Sequence, residues 1–241
     1  MDSEWHGMDL VQLKASVYQA NMALSKSGLV MFTFGNVSGV DRNRKLLVIK
    51  PSGVSYDALS PDKMVCVALK NGEVMDSDLT PSSDTATHLA LYRAFETCGG
   101  IVHTHSEYAT ACAQARIPIR CMGTTHADYF FGDIPVTREM TEAETATDYE
   151  KNTGRVITEI FKKLDPQKIP AVLVANHGPF VWGADPLEAV HHAVIVEYLA
   201  KLELHVRQLN PDAPRPRQHL IAKHYLRKHG AKAYYGQRFR K

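Results

Sequence analysis

The sequence predicts an α/β fold, with one mixed sheet covered by helices on both faces, and three observations support this. Short apolar runs bounded by glycine, proline or charged turns read as strands. They come in antiparallel-looking pairs early in the chain and alternate later with segments whose apolar residues recur every three or four positions. The composition, 241 residues with 44% hydrophobic and 22% charged, suits one large soluble domain with ample core.

The elements follow in order. Leu10, Leu13, Val17, Ala20 and Leu24 share one helical face, and that helix should stop at Gly28. "LVMFTFGNVSGV", 29–40, and "KLLVIKPSG", 45–53, flank the charged turn "DRNR" as a hairpin. Ser60 and Pro61 open a short helix, and Asn71-Gly72 sets a second hairpin between "VCVAL" and "EVMD". A helix over about 83–96 precedes the buried strand "GIVHTH", and another helix covers "YATACAQA". "DIPVT" reads as a strand and 148–164 as a helix, followed by the strands "PAVLVANHG" and "PFVWG". A long helix runs from Asp185 towards Gln208, and a last one spans 214–228.

Composition also excludes partners. A net charge of +2 gives no nucleic-acid or membrane surface, and the basic tail "GQRFRK" reads as a solvated end. No apolar run approaches membrane-spanning length, and Asp2, Glu4 and Asp9 interrupt any apolar leader. Four cysteines without CxxC spacing suggest reduced thiols and a cytoplasmic location, so a metal would rest on histidine and carboxylate.

His103 and His105 supply the first chemical signal. Residues two apart on a strand project to one face, roughly 6–7 Å apart, so both imidazoles can converge on one ion. His177, in a turn that Gly178 permits, ends a second apolar strand. Neighbouring strand ends would bring three imidazoles together with a coordination position left open. Three unrelated core histidines are the plainer alternative. "TPSSDTATH" offers hydroxyls and a helix N-terminus to an anion, or plain capping by Ser82 or Ser83. His88 reads as a satisfied helix histidine. "KPSG" adds a lysine and a hydroxyl, and "FGNVSG" an amide between glycines. Asp128, beside apolar residues, should have a raised pKa and exchange protons. Tyr234 and Tyr235 lie near the chain end, where order requires docking. Together these features fit metal-assisted chemistry on a phosphorylated polar substrate.

Seven segments in this order, "GNVS", "KPSGV", "PSSDT", "GGIVHTHS", "GTTHADYF", "HGPF" and "KHYLRKHGAKAYYGQ", resemble the L-ribulose-5-phosphate 4-epimerase branch of the class II aldolase/adducin family. The resemblance spans residues 8–237 and treats 1–7 and 238–241 as flexible ends of a single domain over 1–241. It implies a three-layer α/β/α domain with a largely antiparallel central sheet, assembled as a cyclic tetramer with shared active sites. Carried over by position, His103, His105 and His177 would be metal ligands, with Asp84 at the neighbouring carboxylate position. Gly35, Asn36, Ser52, Gly53, Ser82 and Ser83 fall at substrate and phosphate positions. Asp128 and Tyr235 match the acid–base pair, the tyrosine coming from a neighbouring subunit. The implied cofactor is one divalent ion per subunit, Zn2+ first, with Mn2+ or Co2+ as alternatives. The implied substrate is a phosphorylated ketopentose, inverted at C4 by cleavage and re-formation of the C3–C4 bond. A class II sugar-phosphate aldolase is the nearest alternative, although those enzymes resemble this chain with a glutamate at the position of Asp84. A zinc hydrolase explains the phosphate loops poorly, and an adducin-like assembly protein would lack the ligand set.

Overall fold

Six strands, β1 (Asn36–Asp41), β2 (Leu46–Ile49), β3 (Val65–Ala68), β4 (Gly100–His103), β5 (Ala171–Val174) and β6 (Gly178–Gly183), make one sheet in the order β3-β2-β1-β4-β6-β5. The computed structural model describes residues 9–235, so the expected flexible ends and the basic tail lie outside the described residues. All five strand pairings within the sheet are antiparallel.

Alternation of side chains divides the core into two layers. Leu47, Ile49, Val65, Ile101, Phe180 and Trp182 face α2 (Thr85–Ala94) and α6 (Tyr149–Ile160), packing with Leu89, Tyr92 and Ile157. Val37, Val102, Leu173 and Val181 point the opposite way. That layer holds α1 (Leu10–Lys26), α3 (Glu107–Gln114) and α7 (Pro186–Leu209), through Leu24, Ala109, Val190 and Val196. Helices on both faces of an antiparallel sheet give the three layers that the resemblance implied, whereas the mixed sheet expected from the order of strands and helices is antiparallel at every strand pairing. A helix α8 (Gln218–His229) packs near the four-residue helix α4 (Thr124–Ala127).

The layer of α2 and α6 matters for the site. Gly154 lets the two helices approach closely: a Cβ there would lie 2.5 Å from that of Ala90. This closeness fixes the N-terminus of α6 above that of α2.

Several expected elements differ. Residues 29–35 are not strand, because Phe32 and Gly35 take left-handed backbone conformations (φ 54° and 77°) that no ladder tolerates. The Ser60–Pro61 start produces a single 3-10 turn, Pro61–Lys63. The Asn71-Gly72 hairpin forms only as an isolated bridge, Val67 to Val74, and the amide of Cys66 is held by Asp76 instead of a longer ladder. "DIPVT" makes only isolated bridges, Ile134 to Ile119 and Val136 to Leu173, since Pro135 has no N–H to donate. The last helix begins at Gln218 rather than 214, because Pro216 disfavours helical geometry in the residue before it. Two short helices, α4 and α5 (Glu142–Ala146, closed by a Thr141–Glu144 capping box), lay below the reach of periodicity. All four cysteines are buried free thiols. No helix among the described residues is long and apolar enough to cross a membrane.

Candidate metal centre

Strand register decides which imidazoles meet. In the β4–β6 ladder His103 lies opposite Phe180, and His177 immediately precedes the first residue of β6. His105 follows two residues beyond His103. The ends of β4 and β6 can close up because residue 178 is glycine: a Cβ there would sit 2.6 Å from the Thr104 carbonyl oxygen. The His103 ring stacks on Phe180 at a centroid distance of 4.1 Å. Phe180 is fully buried, and burial of such a ring contributes roughly 1.5–3 kcal/mol, so His103 stands on a stable platform. Since Phe180 belongs to the layer of α2 and α6, the imidazoles are presented on that face.

The three rings form a cluster, with centroids 5.0 Å apart for His103–His105, 4.7 Å for His103–His177 and 5.0 Å for His105–His177. One nitrogen from each lies within 4.8 Å of the other two. His103 Nδ1 donates to the Pro179 carbonyl at 3.0 Å, so the proton is on Nδ1 and the Nε2 lone pair is free. Nε2 of His103 and of His105 are 3.2 Å apart. Burial, reinforced by the neighbouring imidazoles, pushes His177 down to about 3, and burial followed by His103 lowers His105. Neutral imidazoles are the ligating form. Three imidazole nitrogens gathered within 4.8 Å of one another at the wall of a cleft suit a divalent ion with a vacant coordination position.

Asp84, the N-cap residue of α2, lies in the same cleft, and its Oδ2 accepts from Asn36 Nδ2 at 2.7 Å. Burial works against its ionisation, but the surrounding histidines and Asn36 outweigh that and hold its pKa low. Its oxygens fall outside the three-nitrogen group, which makes it a neighbour of the cluster in this geometry.

The cleft holds about 380 Å³. All six residues expected to meet substrate, Gly35, Asn36, Ser52, Gly53, Ser82 and Ser83, line it together with the three histidines. Their two serine loops are stitched together: Ser52 N–H donates to the Thr80 carbonyl (2.9 Å) and Ser82 N–H to that of Lys50 (3.0 Å). The N-cap residue of α2 is Asp84, not either serine, although Ser82 Oγ accepts from the Asp84 amide at 3.4 Å, so Ser82 helps to shape the helix start as well as lining the cleft. Asn36 Oδ1 is buried without a partner among the described residues, an acceptor that a ligand hydroxyl would satisfy. Lys50 is almost wholly buried against the cleft, its amine donating to the Thr33 carbonyl, and burial lowers its pKa.

Other expectations fare differently. His88 is satisfied only at Nδ1, by Ser38 Oγ at 2.7 Å, and its buried Nε2 has no partner among the described residues. Asp128 and Tyr235 do not line the cleft. Asp128 Oδ1 and Oδ2 accept from Arg227 Nε and Nη2 at 3.0 and 2.7 Å, and His224 Nδ1 lies 3.0 Å away. The expected raised pKa is corrected. Burial does push it up, but Arg227, His224 and Lys228 outweigh burial, so the Asp128 carboxyl lies below its usual range. The exposed ring of Tyr235 lies against the same cation, with the Arg227 guanidinium 4.6 Å from its centroid. Both residues therefore gather around one arginine of α8.

Tyr149 and Glu150 also line the cleft, and sequence reasoning missed them. "DYEKN" looks like any polar helix start, and only the packing of α6 on α2 brings it there. Burial, then Glu150 and Asp84, raise the Tyr149 pKa.

Residues 15–204 match the family model described as "Class II Aldolase and Adducin N-terminal domain". An L-fuculose 1-phosphate aldolase is similar in structure (TM-score 0.74, 25% identity), with 88% of this chain and 94% of that one covered. YgbL from Klebsiella pneumoniae, provisionally assigned as an aldolase/epimerase/decarboxylase, is similar at TM-score 0.71 and 27% identity, covering 90% and 99%. The L-fuculose-1-phosphate aldolase of Thermus thermophilus, at 23% identity, TM-score 0.66 and coverage of 84% and 99%, shares the fold.

Buried neutral histidines impose a pH dependence. Burial lowers His88 to about 3 and His126 to about 4. The unfolded chain therefore binds protons that the native one refuses, and stability present above pH 6.5 is lost as pH falls towards these values. Each residue should cost the metal-free protein about 2 kcal/mol between pH 7 and pH 5. Denaturant titrations at both pH values should show His126→Gln flattening the decline by about that amount. An unchanged slope would mean that His126 is not held neutral.

Proposed function

The chain belongs to the class II aldolase/adducin family, and on that premise we propose that it is a metal-dependent enzyme interconverting L-ribulose 5-phosphate and D-xylulose 5-phosphate. The observation that carries this reading is the convergence, in one cleft, of three imidazoles with two hydroxyl-rich loops and a buried lysine. His103, His105 and His177 would hold the ion, most simply Zn2+, with Asp84 beside it. A divalent ion there would supply Lewis-acid stabilisation of the negative charge that develops when a carbon–carbon bond next to a ketone breaks.

The chain's own residues supply the rest. Ser52, Gly53, Ser82 and Ser83 offer hydroxyls and backbone amides to the phosphate, with Lys50 contributing charge. Asn36, aligned by Asp84 and Ser82, presents its unpaired Oδ1 to a substrate hydroxyl. The hydrogen on C4 is not acidic, because C4 is not adjacent to the C2 carbonyl. Cleaving C3–C4 instead gives the enediolate of dihydroxyacetone and glycolaldehyde phosphate. The phosphate anchors the aldehyde while it turns and re-adds through its other face. This inversion needs one group to take the C4 hydroxyl proton and another to return one.

Asp128 and Tyr235 fit these two tasks. Neither reaches the cleft of its own chain, so a neighbouring copy would deliver them in a closed oligomer, proposed as a cyclic tetramer. The resemblance implied Asp128 from one chain and Tyr235 from the next. The shared contact with Arg227 favours delivery of both by one chain.

A sugar-phosphate aldolase is the second reading, supported by the likeness to an L-fuculose 1-phosphate aldolase. Product analysis separates the two. Purified protein given L-ribulose 5-phosphate in deuterated water should form D-xylulose 5-phosphate with no deuterium at C4. Net release of two fragments without epimer would favour the aldolase, and deuterium at C4 would replace bond cleavage with deprotonation.

Complementation tests the shared site. Asp128→Asn, Tyr235→Phe and His105→Ala should each be nearly inactive alone. Verified mixed oligomers of Asp128→Asn with His105→Ala should regain activity, because some sites then combine intact halves. Mixtures of Asp128→Asn with Tyr235→Phe should regain none if one chain brings both groups. Recovery in that mixture would restore the arrangement with one group from each chain, and recovery in neither would sink the shared site.

A further inference from the structure

The non-ligating nitrogen of a metal-binding histidine needs an anchor, because the proton it carries decides which nitrogen keeps a lone pair. His103 has the Pro179 carbonyl for this purpose. Nδ1 of His177 meets no such carbonyl among the described residues; it lies 3.4 Å from the phenolic oxygen of Tyr149. The two rings are 6.1 Å apart, and Tyr149 opens α6 directly after Asp148, whose left-handed backbone (φ 48°, ψ 43°) turns the chain into the helix. The packing of Gly154 on Ala90 then fixes the height of that helix over the cluster.

We propose that Tyr149 is a positioning residue for His177, accepting the Nδ1 proton so that the Nε2 lone pair is held towards His103 and His105. The inference rests on the reading of the three histidines as a metal site and names the device that sets the third ligand. A phenol can donate to or accept from an imidazole nitrogen. Here only acceptance is compatible with an ion on Nε2, since a donated proton would leave Nδ1 bare and put the ring hydrogen on Nε2. Tyr149 also lines the cleft where substrate would lie. Among the described residues His105 shows no comparable device: its Nε2 is read from the contact with His103. Of the three rings, two are thus locked by their second nitrogen, one by backbone and one by side chain.

The test uses the intact, metal-free protein and Co2+ in competition with a chelator. Wild type should take up one equivalent per chain. Tyr149→Phe keeps the ring and removes only the oxygen, so thermal unfolding of its metal-free form should match wild type. Its Co2+ affinity should fall by about tenfold or more. Nitrogen-15 spectra of the metal-free proteins give a second readout. His177 should be a single Nδ1–H tautomer in wild type and a mixture in Tyr149→Phe. An affinity within twofold of wild type overturns the inference, as does an Nε2–H tautomer at His177 in wild type, a result that needs no variant. Wild-type protein that binds no Co2+ overturns the metal reading itself, and the positioning role with it.

Discussion

The antiparallel pairing of β4 with β6 is the constraint on which the rest depends. Because His103 is registered against Phe180, the imidazole gains a stacked platform and a carbonyl for its Nδ1, while His177 arrives at the adjacent strand end. A slip of one residue would turn His103 towards α1 and α7 and break the cluster. The same register puts the imidazoles on the face covered by α2 and α6. Asp84, at the start of α2, and Tyr149 and Glu150, at the start of α6, therefore reach the cleft without any sequence proximity to the histidines. The fold's contribution to chemistry lies in this choice of face.

Charge is divided between two places. The cleft concentrates neutral imidazoles, an ionised Asp84 and a lysine weakened by burial, a set suited to binding an ion and an oxygen-rich ligand. Asp128 and Tyr235 sit instead among Arg227, His224 and Lys228 on α8 and its continuation. Surrounding cations keep Asp128 ionised, which equips it to take a proton rather than to give one. Under the proposed shared site, the chain carries a binding half and a proton-transfer half that are productive only across an interface. The Tyr235 ring, exposed in the single chain, would then be the part that crosses.

How much of this was legible follows from how local each signal is. The histidines could be read because His-x-His spacing and the ends of apolar strands are local signals, although the turn before β6 takes its left-handed residue from Asn176 rather than Gly178. The loops "KPSG" and "PSSD" announced themselves by composition. The strands around the histidines were found for the same reason. Residues 29–35 misled because the backbone turns left-handed at Phe32 and Gly35 and leaves Met31, Phe32 and Phe34 exposed, and composition cannot distinguish that from a strand. Asp128 misled because its apolar sequence neighbours suggested desolvation, whereas its charge partners, Arg227 and His224, come from almost a hundred residues away. Tyr149 and Glu150 gave no signal at all, since only the α2–α6 contact makes them part of the site.

The central claim is that one ion is held by three histidines brought together by the β4–β6 register. Elemental analysis of the purified protein, after dialysis against a weak chelator, tests it most directly. Wild type should retain close to one divalent ion per chain, and His105→Ala, which removes a ligand beyond the end of β4 without touching the ladder, should retain little while keeping its fold. A full complement of metal in folded His105→Ala would contradict the account.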